Sequence, residues 1–170
     1  MEWNRSNTIA VAKVSCKYCG GNGTRLVRNG KEVPCNCAFR AIFRACWNRF
    51  RECAVGGAHI GTVSLEYFPG ASGYRVYSRK TEEFMADFCL VSRRTLDDVE
   101  HSVFRYHFLL GADWRQCCRG LKMDRGNFFH IVYRIEQKLG RCFAELEPYP
   151  LFPLSDYFSG SRRTSLPSAA

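Results

Sequence analysis

Four cysteines near the start of the chain have the types and spacing to hold a metal ion. Cys16 and Cys19 form a C-x-x-C pair, and Cys35 and Cys37 form a C-x-C pair. Zinc takes four soft ligands at the corners of a tetrahedron, and two short-range cysteine pairs on facing turns supply them. Buried reduced thiols and a redox-active C-x-x-C are the alternative interpretations of the same residues.

A β-hairpin between the two pairs is expected to bring them together. The segments Thr24–Arg28 and Lys31–Val33 are predicted as strands, and Asn29-Gly30 between them is typical of a type I′ turn. The glycines that follow the first pair allow the backbone to fold over a metal with positive φ. We expect one structural Zn²⁺ whose four positions are all filled by the protein.

The same segment resembles the cysteine-rich zinc module of DnaJ-type chaperones and zinc ribbons in general. The similarity covers the 22 residues Cys16–Cys37 and is carried by the run Cys19-Gly20-Gly21-Asn22-Gly23. The second pair is C-x-C rather than C-x-x-C, and a second cysteine cluster of this kind is absent from the sequence. The resemblance implies a four-cysteine zinc site within a module at 13–37, after an N-terminal segment at 1–12. A chaperone-like or redox module stays open as an alternative.

A basic amphipathic helix is predicted directly after this module, over residues 38–56. Its apolar residues recur at helical spacing on one side. They are Phe39, Ile42, Phe43, Cys46, Phe50 and Cys53. The arginines Arg40, Arg44 and Arg51 lie on the other side, where they are candidate phosphate contacts or ordinary solvated residues. Gly56-Gly57 is expected to end the helix.

The next segment alternates in the manner of β-strands. His59–Tyr67 and Tyr74–Ser78 are predicted as the two strands of a hairpin at 57–79, joined by the glycine-rich turn at 69–73.

A helical domain is predicted over residues 80–146. Glu82–Ser92 and Leu96–Leu110 are expected to be its first helices. In the second, Val99, Val103, Tyr106 and Leu110 form the expected inward stripe, widened by Phe104 and Phe108. A short helix, Trp114–Arg119, follows behind the cap Asp113. After a turn at 120–123, Asp124 is expected to cap a longer helix that runs to about Leu139. Short helix, tight turn and capped longer helix are the plan of a helix-turn-helix.

From about Leu96 to Leu139 the chain resembles region 4 of bacterial sigma factors. The similarity rests on Gly111 before the short helix, on the turn residues Leu121 and Met123, and on the run Asp124–Phe128. The turn carries Lys122 where that family has glycine, and the cap is aspartate rather than serine. The resemblance implies that the longer helix reads DNA in the major groove. A zinc module joined to a DNA-reading module is also similar in architecture to phage antitermination regulators, which engage DNA and RNA polymerase.

The residues expected to contact DNA lie on and before the longer helix. Base edges or phosphates are assigned to Arg125, Asn127, His130 and Arg134, sugars or thymine methyls to Tyr133, and the DNA backbone to Arg115 and Lys122. The alternative is a plain helical bundle with solvated arginines.

Composition and charge limit the remaining choices. The formal net charge is +9, and residues 1–58 hold ten basic against three acidic side chains, a balance of +7 that favours a polyanionic partner near the cysteines. The hydrophobic fraction of 46% excludes a wholly disordered chain. We expect no membrane span, no secretory signal and a reducing compartment. The tail at 147–170 is expected to be a proline- and aromatic-rich strip that packs back on the domain or docks a partner, followed by disorder.

These features predict an α+β, mainly α protein with a small zinc ribbon, a β-hairpin and a helix-turn-helix domain. The expected function is a zinc-containing, sequence-specific regulator of transcription. Its partners would be double-stranded DNA and RNA polymerase, with no membrane and no small-molecule substrate. It would act in the cytoplasm of a bacterial or phage-infected cell, at the nucleoid. The sequence contains no catalytic signature, so we expect no enzyme. An RNA- or polymerase-binding adaptor of the antitermination type is the alternative function.

Overall fold

The computed structural model describes residues 8–63, 79–147 and 149–159, which are mainly helical with one small antiparallel sheet. The strands are β1 (Thr24–Leu26) and β2 (Glu32–Pro34). The helices are α1 (Asn36–Val63), α2 (Arg79–Thr95), α3 (Asp98–Val103), α4 (Trp114–Leu121), α5 (Arg125–Glu145) and α6 (Leu154–Ser159). The expected mainly helical α+β class is therefore confirmed at this level.

The hairpin between the cysteine pairs is present, but its turn differs from the predicted one. Arg25 pairs with Val33 in the centre of the ladder. The loop closes where the Val27 amide donates to the Lys31 carbonyl at 3.0 Å, and Gly30 donates back to Val27 at 2.8 Å. A type I′ turn needs positive φ at both central residues, whereas only Gly30 has it here, at +74°. The chain uses a three-residue loop with a left-handed last residue instead.

Helix α1 is longer than predicted. It continues through Gly56-Gly57 to Val63, so the expected helix stop at the glycine pair is wrong, and so is the expected strand over residues 59–63. A helical glycine costs about 1 kcal/mol relative to alanine but keeps its backbone donor, so it weakens a helix without ending it. The rest of the predicted hairpin, residues 64–78, lies outside the described residues, and position 79 already belongs to α2.

The core is formed where α1 packs against α5. The predicted apolar side of α1 is buried, with Phe50 only half-buried, and α5 buries Phe128, Ile131, Val132, Ile135 and Leu139 in the same core. Phe43 of α1 stacks on Phe143 of α5, with ring centroids 6.3 Å apart and planes at 12°. The backbones approach closely at Gly140, where a Cβ atom would lie 1.9 Å from the Phe39 carbonyl oxygen. Only glycine allows this contact.

The predicted helix Leu96–Leu110 is divided. It begins after the cap Asp97, and its second half, Phe104–Leu109, is a π-helical turn. The expected inward stripe is partly wrong, because Val99, Tyr106 and Leu110 are exposed. A π-helical turn rotates the later side chains relative to an α-helix. The buried residues of this segment are Leu96, Glu100, Val103, Phe104 and Phe108.

The described part of the tail packs on the domain, as the first of its two interpretations predicted. Leu151 is fully buried, and its amide donates to the Phe143 carbonyl at 2.8 Å. In α6, the Tyr157 hydroxyl donates to Asp87 of α2 at 2.9 Å, and the Tyr157 ring meets Phe84 edge-on at 5.3 Å. Part of the expected extended strip is thus a short helix. Residues 160–170 lie outside the described part.

Candidate metal centre and candidate nucleic-acid interface

The four predicted ligands lie together. The Sγ atoms of Cys16, Cys19, Cys35 and Cys37 are all within 4.8 Å of one another. Cys16 and Cys35 are 3.8 Å apart, and Cys19 and Cys37 are 3.5 Å apart. A metal with bonds of about 2.3 Å to sulfur at the corners of a tetrahedron separates the sulfurs by about 3.8 Å. The cluster therefore has the dimensions of a four-coordinate metal centre.

Backbone hydrogen bonds fold the first pair over the second. Gly20 donates to the Cys16 carbonyl at 2.8 Å, and Cys35 donates to the Gly23 carbonyl at 2.8 Å. Gly23 has a φ of +75°, and a Cβ atom there would come 2.5 Å from the backbone of Thr8. Glycine is required at position 23 because it allows the positive φ of the turn and leaves room for the backbone of Thr8.

The second pair sits at the start of α1. Cys35 directly precedes the helix, and Cys37 lies in its first turn. The positive end of the helix dipole favours thiolates at this position. The Cys16–Cys19 pair and the Cys35–Cys37 pair therefore direct their sulfur atoms into the same small volume.

Protonation differs among these thiols. The Tyr18 backbone N–H donates to the Cys16 thiolate and lowers the Cys16 pKa to about 6. Burial raises the pKa of Cys35, and it raises the pKa of Cys37 to about 12. A metal ion that binds here at neutral pH must displace the protons of Cys35 and Cys37.

Cys46 and Cys53 are buried core thiols, as their position on the apolar stripe predicted. Burial raises the pKa of Cys46 to about 12, which keeps it protonated and inert. Across the described ranges of the chain, the four-cysteine group is the one cluster of ligating side chains that could hold a metal.

A second set of residues lies at α4, α5 and the turn between them, the segment predicted as a helix-turn-helix. The Asp113 side chain accepts from the Gln116 amide at 2.7 Å, and Gln116 accepts back from the Asp113 amide at 2.9 Å. Asp124 accepts from the Asn127 amide at 2.9 Å. Both predicted caps are confirmed. Lys122 ends α4 in the left-handed conformation with a φ of +52°, which glycine adopts more readily than other residues.

The side chains predicted to contact DNA are exposed. We call Asn127, His130, Tyr133 and Arg134 the exposed face of α5; Arg125 is also exposed, at the N-terminal end of the helix and on another side of it. Asn127, His130 and Arg134 follow at i, i+3 and i+7, so they share one side of the helix, opposite the buried stripe. Arg115 and Lys122 are also exposed.

Arginines from α4 and α5 gather at one aromatic side chain. The guanidinium of Arg125 lies 5.1 Å from the Trp114 ring centroid, and that of Arg115 lies 5.3 Å from it. The contact brings the N-terminal ends of the two helices together and holds two cations near each other.

Two buried carboxylates anchor the flanks of α5. Glu100 is fully buried, with Arg134 at 3.2 Å and Lys138 at 2.7 Å. On the other flank Glu136, whose side chain is 5% exposed, pairs with Arg40 and with Arg44, the latter at 3.0 Å. Sequence reasoning missed both anchors, since nothing local marks Glu100 or Glu136 as buried.

The arginines predicted as phosphate contacts on α1 therefore have partners inside the protein. The Arg40 guanidinium also lies 4.3 Å from the Tyr133 ring centroid, and Arg51 lies 5.1 Å from that of Trp47. Arg44 keeps 56% of its side chain exposed despite its ion pair. These contacts tie α1 to α5 and leave Arg44 accessible.

No helix in the described ranges has the length and apolarity needed to cross a bilayer. Comparison of the chain with protein-family models, with curated proteins and with solved structures finds no match.

Proposed function

We propose that this protein is a zinc-containing, sequence-specific DNA-binding regulator of transcription that reads duplex DNA with α5. The observation that carries the proposal is the exposed face of α5, the second of two capped helices that a short turn joins. That face carries Arg134 and hydrogen-bonding side chains, and Arg125 is exposed at the N-terminal end of α5, while the apolar stripe of the helix is buried in the core.

The chemistry of the exposed face suits base edges. Arginine pairs with guanine O6 and N7, and asparagine with adenine N6 and N7, in the major groove. Arg125 and Asn127 lie in the first turn of α5, the part of a recognition helix that reaches the bases. Arg115 and Lys122, on the short helix and in the turn, are placed to hold phosphates.

The two buried carboxylates support this role by fixing α5. A reading helix must be held in one orientation, because direct readout depends on side-chain geometry. Glu136 fixes α5 to α1 and Glu100 fixes it to α3. Arg134 forms an ion pair with Glu100 and keeps 58% of its side chain exposed. We therefore assign it to phosphate rather than to a base.

Zn²⁺ is the metal we assign to the four cysteines. Four thiolates at tetrahedral separation suit zinc better than harder ions, and a full cysteine set leaves no open position for catalysis. The ion would stabilise the module and the first turn of α1.

RNA polymerase is part of the proposal as a protein partner. The resemblance to sigma region 4 motivates it, and large apolar side chains are exposed at Val99 in α3, at Tyr106 in the π-helical turn and at Leu110 directly after that turn.

The test is a selection of bound duplexes from a random pool by the zinc-loaded protein. We expect enrichment of one short motif, and a loss of binding to it in Asn127→Ala. Arg94→Ala, which removes an exposed charge from α2, serves as the control and should bind as the wild type does. A pool that stays random after several rounds would reject sequence-specific DNA binding.

A further inference from the structure

A cavity of about 480 Å³ lies between the cysteine cluster and α5. Its lining includes four cations, Lys13, Lys17, Arg25 and Arg40, and no acidic side chain. Ser15, Tyr18, Asn36 and Gln137 add polar groups to its walls. A pocket with several cations, hydrogen-bonding side chains and no carboxylate suits an anionic ligand.

Three of the four lining cations form no ion pair with another described residue. Arg40 pairs with Glu136, whereas Lys13, Lys17 and Arg25 have no ion pair within the described parts of the chain. A Zn²⁺ tetrathiolate has two net negative charges, so the three lining cations without an ion pair exceed it by one. The Lys17 ammonium lies 5.1 Å from the ring centroid of Tyr18, whose side chain is largely exposed.

The position of the cavity along α5 indicates which anion would bind in the cavity. Gln137 is the α5 residue in the lining, and it follows His130 by two helical turns on the same side. It lies twelve residues beyond Arg125, about 18 Å along the helix axis at about 1.5 Å per residue. The major groove is about 12 Å wide. Because about 18 Å exceeds the width of the groove, Gln137 lies beyond the bases and at the level of the bordering phosphates when the first turn of α5 lies at the bases.

We propose that this cavity is a phosphodiester-binding site that holds the DNA backbone flanking the bases read by α5. Lys17 and Arg25 contact the phosphate oxygens. The inference rests on the proposed function for the identity of the duplex, and it assigns to the four-cysteine module a direct part in binding. The cavity would supply affinity without sequence preference, as backbone contacts do.

The experiment compares salt dependence of duplex binding in Arg25→Ala and in the double variant Lys17→Ala with Arg25→Ala. Arg28→Ala and Lys31→Ala are matched controls, because they remove exposed cations from the same hairpin outside the cavity. Zinc content and circular dichroism verify that each variant is folded. Arg25→Ala alone provides the test if the double variant loses zinc.

Each lost phosphate contact should lower the slope of log affinity against log salt by about 0.9, so the double variant should lose about 1.8. The ratio of affinities for the selected and a random duplex should not change, and the controls should keep the wild-type slope. Equal slopes in cavity variants and controls would overturn the inference, while the proposed function would stand if the wild type still discriminates.

Two further results separate the claims. A wild type without sequence preference, whose slope still falls in the cavity variants, would reject base reading and support the phosphodiester site. Tighter binding to single-stranded RNA than to duplex, with the difference lost in Arg25→Ala, would overturn the assignment of the cavity to duplex DNA.

Discussion

The Arg44 guanidinium donates to the Glu136 carboxylate at 3.0 Å, and this pair joins α1 to α5 across 92 residues of sequence. Glu136 is nearly inaccessible, whereas Arg44 remains more than half exposed. Arg44 of α1 thus holds α5, the helix that we propose reads DNA, through the Glu136 carboxylate.

Replacing Glu136 should therefore destabilise the fold. Glu136→Gln removes the charge that Arg40 and Arg44 share. A hydrogen bond to a charged group contributes about 1.5–3 kcal/mol to stability. We expect a loss in the free energy of unfolding at the lower end of that range, because water screens the exposed arginines. Urea denaturation measures it. Glu52→Gln breaks the exposed pair with Arg49 and should change stability by less than about 1 kcal/mol. Equal effects in the two variants would contradict the anchoring role.

Gly140→Ala should be more damaging than its size suggests. The new Cβ atom would lie 1.9 Å from the Phe39 carbonyl oxygen, so α1 and α5 must separate. Overpacking of this kind costs about 1–3 kcal/mol. Gly120→Ala in α4 is the control, since its Cβ atom meets nothing within 4 Å and alanine favours helix. Thermal unfolding should show a lower melting temperature for the first variant only; a wild-type melting temperature for Gly140→Ala would exclude the close approach.

Cys19→Ser should release the metal and unfold the four-cysteine module. Three thiolates hold zinc more weakly, and in small modules the binding energy of the metal is folding energy. Zinc content after dialysis, together with hydrogen exchange of the hairpin amides, reports the change. Cys89→Ser, at an exposed position on α2, should retain one zinc per chain. Full zinc content in Cys19→Ser would refute the ligand assignment.

Zinc affinity should fall as the pH falls. Because burial raises the pKa of Cys35 and Cys37, both thiols are protonated at neutral pH without metal, and binding releases those protons. Cys16 has a pKa of about 6, so it adds a further proton only below that pH. The dependence of log affinity on pH should therefore steepen below about pH 6. Competition with a chelator between pH 5 and 8 measures it, and a pH-independent affinity would contradict thiolate ligation.

The elements set by local chemistry were predictable from the sequence. Asp113 and Asp124 cap the helices that they were expected to cap, because a short polar side chain before an apolar helical period satisfies the first backbone amides. The four ligands were predictable because their spacing is local within each pair. In both cases the residues that interact are few positions apart.

Features that depend on distant partners were not predictable. The glycine pair in α1 is only a weak helix breaker, and the alternating pattern after it looked equally suited to a strand. The burial of Glu100 and Glu136 follows from cations 34 to 96 residues away. No local pattern distinguishes such a carboxylate from a solvated one, and the exposure of Tyr106 and Leu110 follows from a π-helical turn that the sequence does not mark.

The most direct test of DNA reading by α5 is a binding titration of Arg125→Ala on the selected duplex and on a scrambled duplex of equal length. If Arg125 contacts a base, the variant should lose about 1–3 kcal/mol on the selected duplex, with little change on the scrambled one and relaxed preference at one position. Unchanged affinity and unchanged preference in Arg125→Ala and in Asn127→Ala would contradict the assignment of α5 as the reading helix.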